Sequence, residues 1–384
     1  SAASAPIGCT RTLRPSCGEC FRRTGGAAPR EGARVAIATV WDGGQSYECA
    51  IPLWCQSATQ VSRVIPQSEL VMLTPKHTSH CAHAVQVFSE TTDRAAQSYI
   101  RRHGSRGLLH GFSTANLLKF ALFSLTRYEL LLYVDLDIDL AHPAALSAAA
   151  WKDATSALLE TRALFVGLFD HASPVNGGLW LARPRCWLYA DAIRLLRHGQ
   201  WTAEDGFEGI GSPRQVGANH SLMRPLIEMI AAGSGASLFK VEGTLNYTQY
   251  FRWNRWDFVN GHLDQGMLWY LFYLRHPVGT WSHYVGSMRG RWTVDHFWGG
   301  PKPWLGQSSH TSRNYWLRLD ADYAAAPAAH GAAAEQRCTR RKNMKREGGE
   351  KGSGWKSLVG PLPHAKKIRH FGQMGHAIAR LPSD

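Results

Sequence analysis

The chain has 384 residues, 44% of them hydrophobic, with a formal net charge of +14; that size and composition allow a large core and exclude the disordered and low-complexity classes. The basicity sits at the ends. Residues 1–33 carry five Arg against two Glu, and residues 337–384 carry twelve Lys or Arg against three acids, leaving 26 basic and 24 acidic residues between them. A near-neutral body excludes a polyanion-binding core, so no nucleic-acid partner is expected. The sequence also contains no apolar run of the ~18 or more residues that a membrane-spanning helix needs.

In chain order, residues 1–33 are rich in Gly, Ala, Pro, Ser and Arg without periodicity, and are expected to be disordered. Cys17 and Cys20 form one CxxC with no second pair to complete a zinc site and no βαβ context, which argues against metal or redox chemistry there. The chain begins at Ser1 and reads as a fragment or processed form, so the Golgi lumen and the cytoplasm both stay open as compartments.

Arg34 to Val40 is a strand of β-branched and small residues ending in a turn at Asp42, Gly43 and Gly44. Apolar residues then recur at helical spacing from Tyr47 to Val64, and Glu69 to Thr74 reads as a second strand. Strand, helix and strand in this order form a βαβ unit and predict a parallel, right-handed sheet. Residues 75–112 predict one helix and no more. Ser113 to Leu125 is a helix with Leu117, Phe120, Ala121 and Ser124 on one face.

An Ala-rich helix follows from Pro143 to Leu159, then strands over Ala163–Phe169 and Gly178–Ala182 and a helix after Pro184. Residues 198–260 break the regularity and read as a functional or mobile insertion. Leu263 to Leu274 is a mostly buried helix with Asp264 and Gln265 in its first turn, where the helix dipole favours an acid. Residues 306–336 form a closing segment and 337–384 a solvated basic tail, leaving 34–305 as the main domain.

Chemistry concentrates in Glu129 to His142, ELLLYVDLDIDLAH. An apolar strand buried on both faces ends in Asp135, Asp137 and Asp139, whose period of two aims all three to one side. Clustered carboxylates at the carboxyl end of a central strand lie where open α/β sheets bind ligands. A divalent cation held by Asp135 and Asp137 and shared with a diphosphate is the economical reading. Asp139 could extend the site or serve as a solvated or capping residue. Asp320-Ala-Asp322 repeats the spelling with no hydrophobic strand before it and is read as a decoy. HFWGGPKPW, from His296 to Trp304, adds an imidazole suited to Mn²⁺, two glycines through which backbone amides can approach phosphate, and Lys302 as a point charge. Trp304 and the tryptophans within 251–256 are candidate sugar platforms.

In order, these blocks resemble family eight of the retaining glycosyltransferases, the group that includes glycogenin, galactinol synthase and bacterial galactosyltransferases. Tyr47 matches the first block; Lys119 with SLTRYELLLYVDLD the second; VNGGLWLARP with Asp264-Gln265 the third; and His296, Gly299 and Lys302-Pro303-Trp304 the fourth. The match spans residues 34–305. It implies an α/β domain of the GT-A type, Rossmann-like and doubly wound around a mostly parallel, mixed sheet.

The resemblance also implies an enzyme that moves a hexose from a UDP-sugar to an acceptor hydroxyl on a saccharide, polyol or protein-linked glycan. Asp135, Asp137 and His296 would ligate Mn²⁺ or Mg²⁺. Lys302 and Gly299 would grip the diphosphate, Tyr47 would stack near the uracil, Asp135 could also touch the ribose, and Lys119 would hold phosphate or sugar. Asn176, Gly177, Asp264 and Gln265 would line the sugar pocket. Members of the family usually carry a non-acidic residue at the position of Asp139, which implies the solvated or capping role for it. Transfer would retain configuration by internal return, with the leaving phosphate taking the acceptor's proton. A homodimer is compatible with the family.

Gly177 stands where the family usually has Ser, Ser173 where an Asp is common, and Gly261 where glycogenin-like members often have another Asp. All three remove polar groups from the donor sugar's surroundings. Two competing readings are a catalytically silent sugar- or nucleotide-binding protein on the same scaffold and a self-glucosylating, glycogenin-like primer. Lost metal ligands would favour the first and a Tyr-bearing tail the second, yet Asp135, Asp137 and His296 are present and no Tyr follows Tyr323. The asparagines of Asn219-His-Ser and Asn246-Tyr-Thr match the glycosylation pattern, which is short enough to arise by chance.

Overall fold

A computed structural model describes residues 17, 21–104, 114–140, 148, 151–152, 155, 158, 163–169, 173–212, 255–256, 258, 260–284 and 295–296. Its centre is an eight-stranded sheet in the order β1-β4-β3-β2-β5-β8-β7-β11. The strands are β1 (Phe21–Gly26), β2 (Val35–Val40), β3 (Ser68–Leu73), β4 (Val85–Ser89), β5 (Leu130–Val134), β7 (Phe165–Phe169), β8 (Leu179–Ala182) and β11 (Gly279–Tyr284). β4, β3, β2 and β5 run parallel, β8 runs antiparallel to both β5 and β7, and β11 is parallel to β7. This is the mixed, mostly parallel, doubly wound α/β architecture that was expected.

The alternation along the central strands explains the two layers of core. On β2, Val35 and Ile37 join one apolar cluster while Ala36, Ala38 and Val40 join the other; on β5, Leu132 and Val134 separate in the same way from Leu131 and Tyr133. With both faces covered, these strands read as continuous apolar runs. The first face packs against α2 (Ile51–Val64), a helix with Pro52 in its first turn that buries Ile51, Leu53, Trp54, Ala58 and Val61. The second packs against α3 (Glu90–Gly104) and α5 (Cys186–His198), preceded in the chain by α1 (Gln45–Glu48) and α4 (Ala115–Leu118).

Several expectations are revised. Residues 21–26 are a strand, not disorder: β1 pairs antiparallel with β4 at the sheet edge, and Arg22 and Arg23 point outward as edge-strand charges do. Cys17 of the CxxC is bonded to Cys186 on α5, so this cysteine staples the chain ahead of β1 to the helical layer. β4 adds a strand to the segment expected to hold only a helix. The predicted helix over 113–125 is α-helical only through Leu118, and Lys119–Ser124 tightens into a fully buried 3₁₀ turn. The helix predicted over 263–274 is α6 (Asp264–Trp269) followed by a π-helical Tyr270–Arg275.

The described residues between 148 and 158 are helical, as expected. The insertion contains a small ribbon of β9 (Trp201–Thr202) and β10 (Gly206–Phe207). No helix among the described residues is long and apolar enough to cross a membrane.

Candidate functional site

The site forms where β5 and the strand entering β8 meet at one edge. The backbone N–H of Asp135 donates to the Gly178 carbonyl at 2.7 Å, and the chain turns back so that Ile138 N–H reaches the Asp135 carbonyl at 3.1 Å. This turn presents Asp135 and Asp137 side by side. Asp137 is 8% exposed and the Asp135 side chain 29%. After the turn, β6 (Ile138–Asp139) pairs antiparallel with β12 (Asp295–His296), with His296 opposite Ile138. His296, distant in sequence, is thereby set opposite the residue that follows Asp137. Asp139 lies opposite Asp295 in the same ladder.

Beneath the carboxylates lies Lys119, fully buried at the start of the 3₁₀ turn. Its ammonium donates to Asp264 Oδ2 at 2.6 Å and to the Gly177 carbonyl at 2.8 Å, and lies 3.7 Å from Asp135 Oδ1. It also sits 4.8 Å from the centre of the Tyr133 ring. Expected to hold phosphate or sugar, Lys119 makes these short contacts to protein, joining the 3₁₀ turn, the β8 approach, β5 and α6. Burial alone would lower its pKa, but Asp135 and Asp264 outweigh that and raise it, so the ammonium stays charged.

Asp264 opens α6, where the helix dipole favours an acid, and is 2% exposed. Its Oδ2 is engaged by Lys119, while its buried Oδ1 has no hydrogen-bond partner among the described residues. An acceptor-only oxygen left in that state is poised for an incoming hydroxyl. Gln265 is buried beside it. Asn176 is likewise buried, and its Oδ1 accepts from the N–H groups of Gly178 at 2.7 Å and Leu179 at 3.2 Å, holding the turn into β8. Ser173 closes a local turn with Val175, its hydroxyl donating to that residue's carbonyl at 3.0 Å.

Burial raises the pKa of Asp135, opposed by Lys119 and reinforced by Asp137. Burial also raises Tyr47 above the ordinary phenol range, and Asp137 and Asp135 add to it, which places the half-buried Tyr47 ring of α1 within the field of the pair. The sequence reading missed Tyr133, whose hydroxyl donates to Asp135 Oδ1 while its ring stacks on Trp180 at 4.8 Å and 18°. Its position two residues before Asp135, hence on the same side of the strand, was the available signal.

Gly178 was missed as well: a Cβ there would stand 2.8 Å from Asp135 Oδ2. Trp256, one of the candidate sugar platforms, is instead fully buried, with its indole N–H donating to the Gly211 carbonyl at 2.9 Å. Gly261 has no room for the Asp of glycogenin-like members, since a Cβ there would stand 2.3 Å from the Trp256 carbonyl. Gly299, Lys302 and Trp304 lie outside the described residues.

No family model matches the sequence, and no curated protein matches it. Solved structures with a similar chain path include the galactosyltransferase LgtC in complex with donor and acceptor sugar analogues, at 13% identity over 81% of this chain and 95% of that one, with a TM-score of 0.35. An active-site mutant of LgtC aligns at 13% identity over 75% and 95% with a TM-score of 0.31. The bifunctional glycosyltransferase WbbM without ligand aligns at 13% over 73% and 48% with a TM-score of 0.34. At such TM-scores the likeness carries no functional argument, which rests on the carboxylate cluster itself.

Proposed function

We propose that the chain is a retaining glycosyltransferase that moves a hexose from a UDP-sugar to an acceptor hydroxyl with the help of a divalent cation, Mn²⁺ or Mg²⁺. The observation that supports it best is the gathering of carboxylates at this point. Asp135 and Asp264 both reach Lys119, and Asp137 lies within the electrostatic field of Lys119 and Asp135, so three carboxylates gather in one largely buried place. A divalent cation would find hard oxygen donors in that gathering of carboxylates.

Asp135 and Asp137 would hold the ion together with His296, whose strand is in register beside them. When bound, it would supply Lewis-acid neutralisation of the leaving diphosphate. The protein's own residues then have distinct tasks. Tyr133 orients Asp135 by donating to one of its oxygens. Lys119 and Asp264 set the floor of the donor pocket, and the free Oδ1 of Asp264 takes a sugar hydroxyl. Tyr47 flanks the nucleotide side, while Gly299 and Lys302 grip the diphosphate. Asn176 and Gly177 form the wall next to Asp264, with Gln265 beside it. In the transfer, the bond from the anomeric carbon to the UDP oxygen breaks on the same face as the bond to the acceptor oxygen forms. The acceptor proton passes to the departing phosphate, so no protein base is required.

The test follows UDP release from a panel of UDP-sugars with and without Mn²⁺, beside Asp137→Ala. One donor hydrolysed only with metal, and silence of the variant with at least about a hundredfold weaker metal-dependent UDP binding, is expected. UDP binding that ignores both metal and the substitution would overturn the reading.

A further inference from the structure

We infer that Gly177 is the specificity-determining position of the donor pocket, and that it acts by fixing where Asp264 stands. This deepens the proposed function and rests on it. A Cβ built on Gly177 would lie 2.2 Å from Asp264 Oδ2, and 3.1 Å from both Asp264 Cγ and Gln265 Cγ. Any side chain at 177, including the Ser usual in the family, therefore conflicts with the present position of the carboxylate. Flexible side chains often move away from such a conflict. Here the freedom is small, because the Asp264 carboxylate is held at 2.6 Å by Lys119, both residues are buried, and Lys119 is itself anchored to the carbonyl of Gly177.

The missing side chain thus has a positive meaning. It lets the start of α6 close against the β8 approach until the Asp264 carboxylate occupies the space of a Cβ. That closure sets the location of Oδ1, the buried acceptor without a partner among the described residues. α6 has no slack with which to compensate on its other side, since a Cβ at Gly266 would stand 1.7 Å from the Gly261 carbonyl. Hydrogen bonding to one buried acceptor discriminates sharply between sugars that differ in the placement of one hydroxyl, because the wrong isomer leaves the acceptor unpaired. A shift of Asp264 by the width of a methyl group therefore alters which UDP-sugar is accepted while leaving the nucleotide end of the site untouched.

The experiment uses the full chain with Gly177→Ser and Gly177→Ala, measuring kcat and KM for a panel of UDP-glucose, UDP-galactose, UDP-xylose and UDP-N-acetylglucosamine, and Kd for UDP itself. The expected result is a fall of about tenfold or more in kcat/KM for the preferred donor, a changed donor ranking, and UDP affinity within about twofold of the parent. A ranking that stays the same, or UDP affinity that falls in step with every donor, overturns the inference while the transferase reading survives. If the unaltered protein neither binds UDP nor releases it from any donor, both fall together.

Should the single variants fold poorly, the pair Gly177→Ala and Asp264→Ala decides the matter by stability. Removing the Asp264 carboxylate should abolish the effect of the added methyl if the conflict is between these two groups. Equal destabilisation in both backgrounds overturns it.

Discussion

Replacing Lys119 by Met tests the charge balance of the site directly. The ammonium and the Asp264 carboxylate are 1% and 3% exposed and 2.6 Å apart, so neither can recover hydration when the other is removed. A Met fills much of the same volume but leaves Asp264 uncompensated, the Gly177 carbonyl without its donor, and Asp135, Asp137 and Asp264 repelling one another. Breaking a buried pair from one side costs about 3–5 kcal/mol, and the two remaining neighbours place this case toward the upper end. The pair itself contributes far less, because burying both charges offsets most of their attraction.

Lys119→Met with Asp264→Asn should therefore be more stable than the sum of the two single effects by at least about 2 kcal/mol. The assay is the urea midpoint and slope of all four proteins at pH 7. Mn²⁺ should raise the melting temperature of Lys119→Met more than that of the parent, since the carboxylates then lose the buried positive charge they share. A loss under about 1 kcal/mol for Lys119→Met, additive with Asp264→Asn, would refute the claim that this lysine is the internal counter-ion.

Tyr133→Phe keeps the stack on Trp180 and removes the donor to Asp135; Mn²⁺ affinity should fall about tenfold with little change in melting temperature, as calorimetric titration would read. A second, peripheral group of charges gives a pH signature. Burial alone would raise Asp191, but hydrogen bonding from His276 and the charge of Arg275 hold it below the usual carboxylate range, and Arg194 holds Glu208 down similarly. Depressed carboxylate pKa values stabilise fully above the unfolded values, near pH ~4, and that stability is lost as pH falls through the folded ones. The melting temperatures of the parent and Asp191→Asn should accordingly differ at pH 7 and converge toward about pH 3.

Cys55–Cys81 and Cys17–Cys186 close loops of 26 and 169 residues. Replacing either pair by Ser should cost about 2–4 kcal/mol in thermal or urea unfolding, and thiol titration of the unreduced, unfolded protein should find none of these four cysteines reactive. Disulfides of this kind persist in oxidising compartments, which favours the lumenal side of the two compartments that the sequence left open.

The strands that were legible were those whose side chains are apolar on both faces: β2, β3, β5, β7 and β8 all lie inside the sheet. β4 lies inside it too, yet its second residue is Gln86, which is fully buried. The amide is satisfied by Thr78 N–H at 2.9 Å, the Thr78 carbonyl at 2.7 Å and the Cys81 carbonyl at 3.1 Å. A strand that binds a neighbouring loop through a polar side chain loses the apolar run by which a strand is recognised. β1 escaped for the opposite reason. As an edge strand it needs outward charges, and FRRTGG therefore looks like part of the basic tail around it. Lys119–Ser124 was legible as buried and helical, but the step from α to 3₁₀ follows from close packing that no periodicity announces.

The site divides along the same line. Its carboxylates could be found because their chemistry is carried by residue type, but the extended run expected from their period of two is replaced by a turn after Val134 that brings Asp135 and Asp137 together. The residues that give those carboxylates their positions act through what they lack or through a distant partner. Gly177 looks in sequence like a lost polar contact, and Gly178 carries no signal there at all. In the structure they are the space into which the Asp264 and Asp135 carboxylates advance, with Cβ positions 2.2 and 2.8 Å from the carboxylate oxygens. Lys119 is read as a phosphate or sugar contact from the resemblance and its distance to Asp135, and the structure adds that it is fully buried and bound to Asp264 and the Gly177 carbonyl. Such a pocket is specified by close approach as much as by functional groups. Its donor preference should therefore respond to a single methyl group at 177 more strongly than to charge changes on the exposed surface.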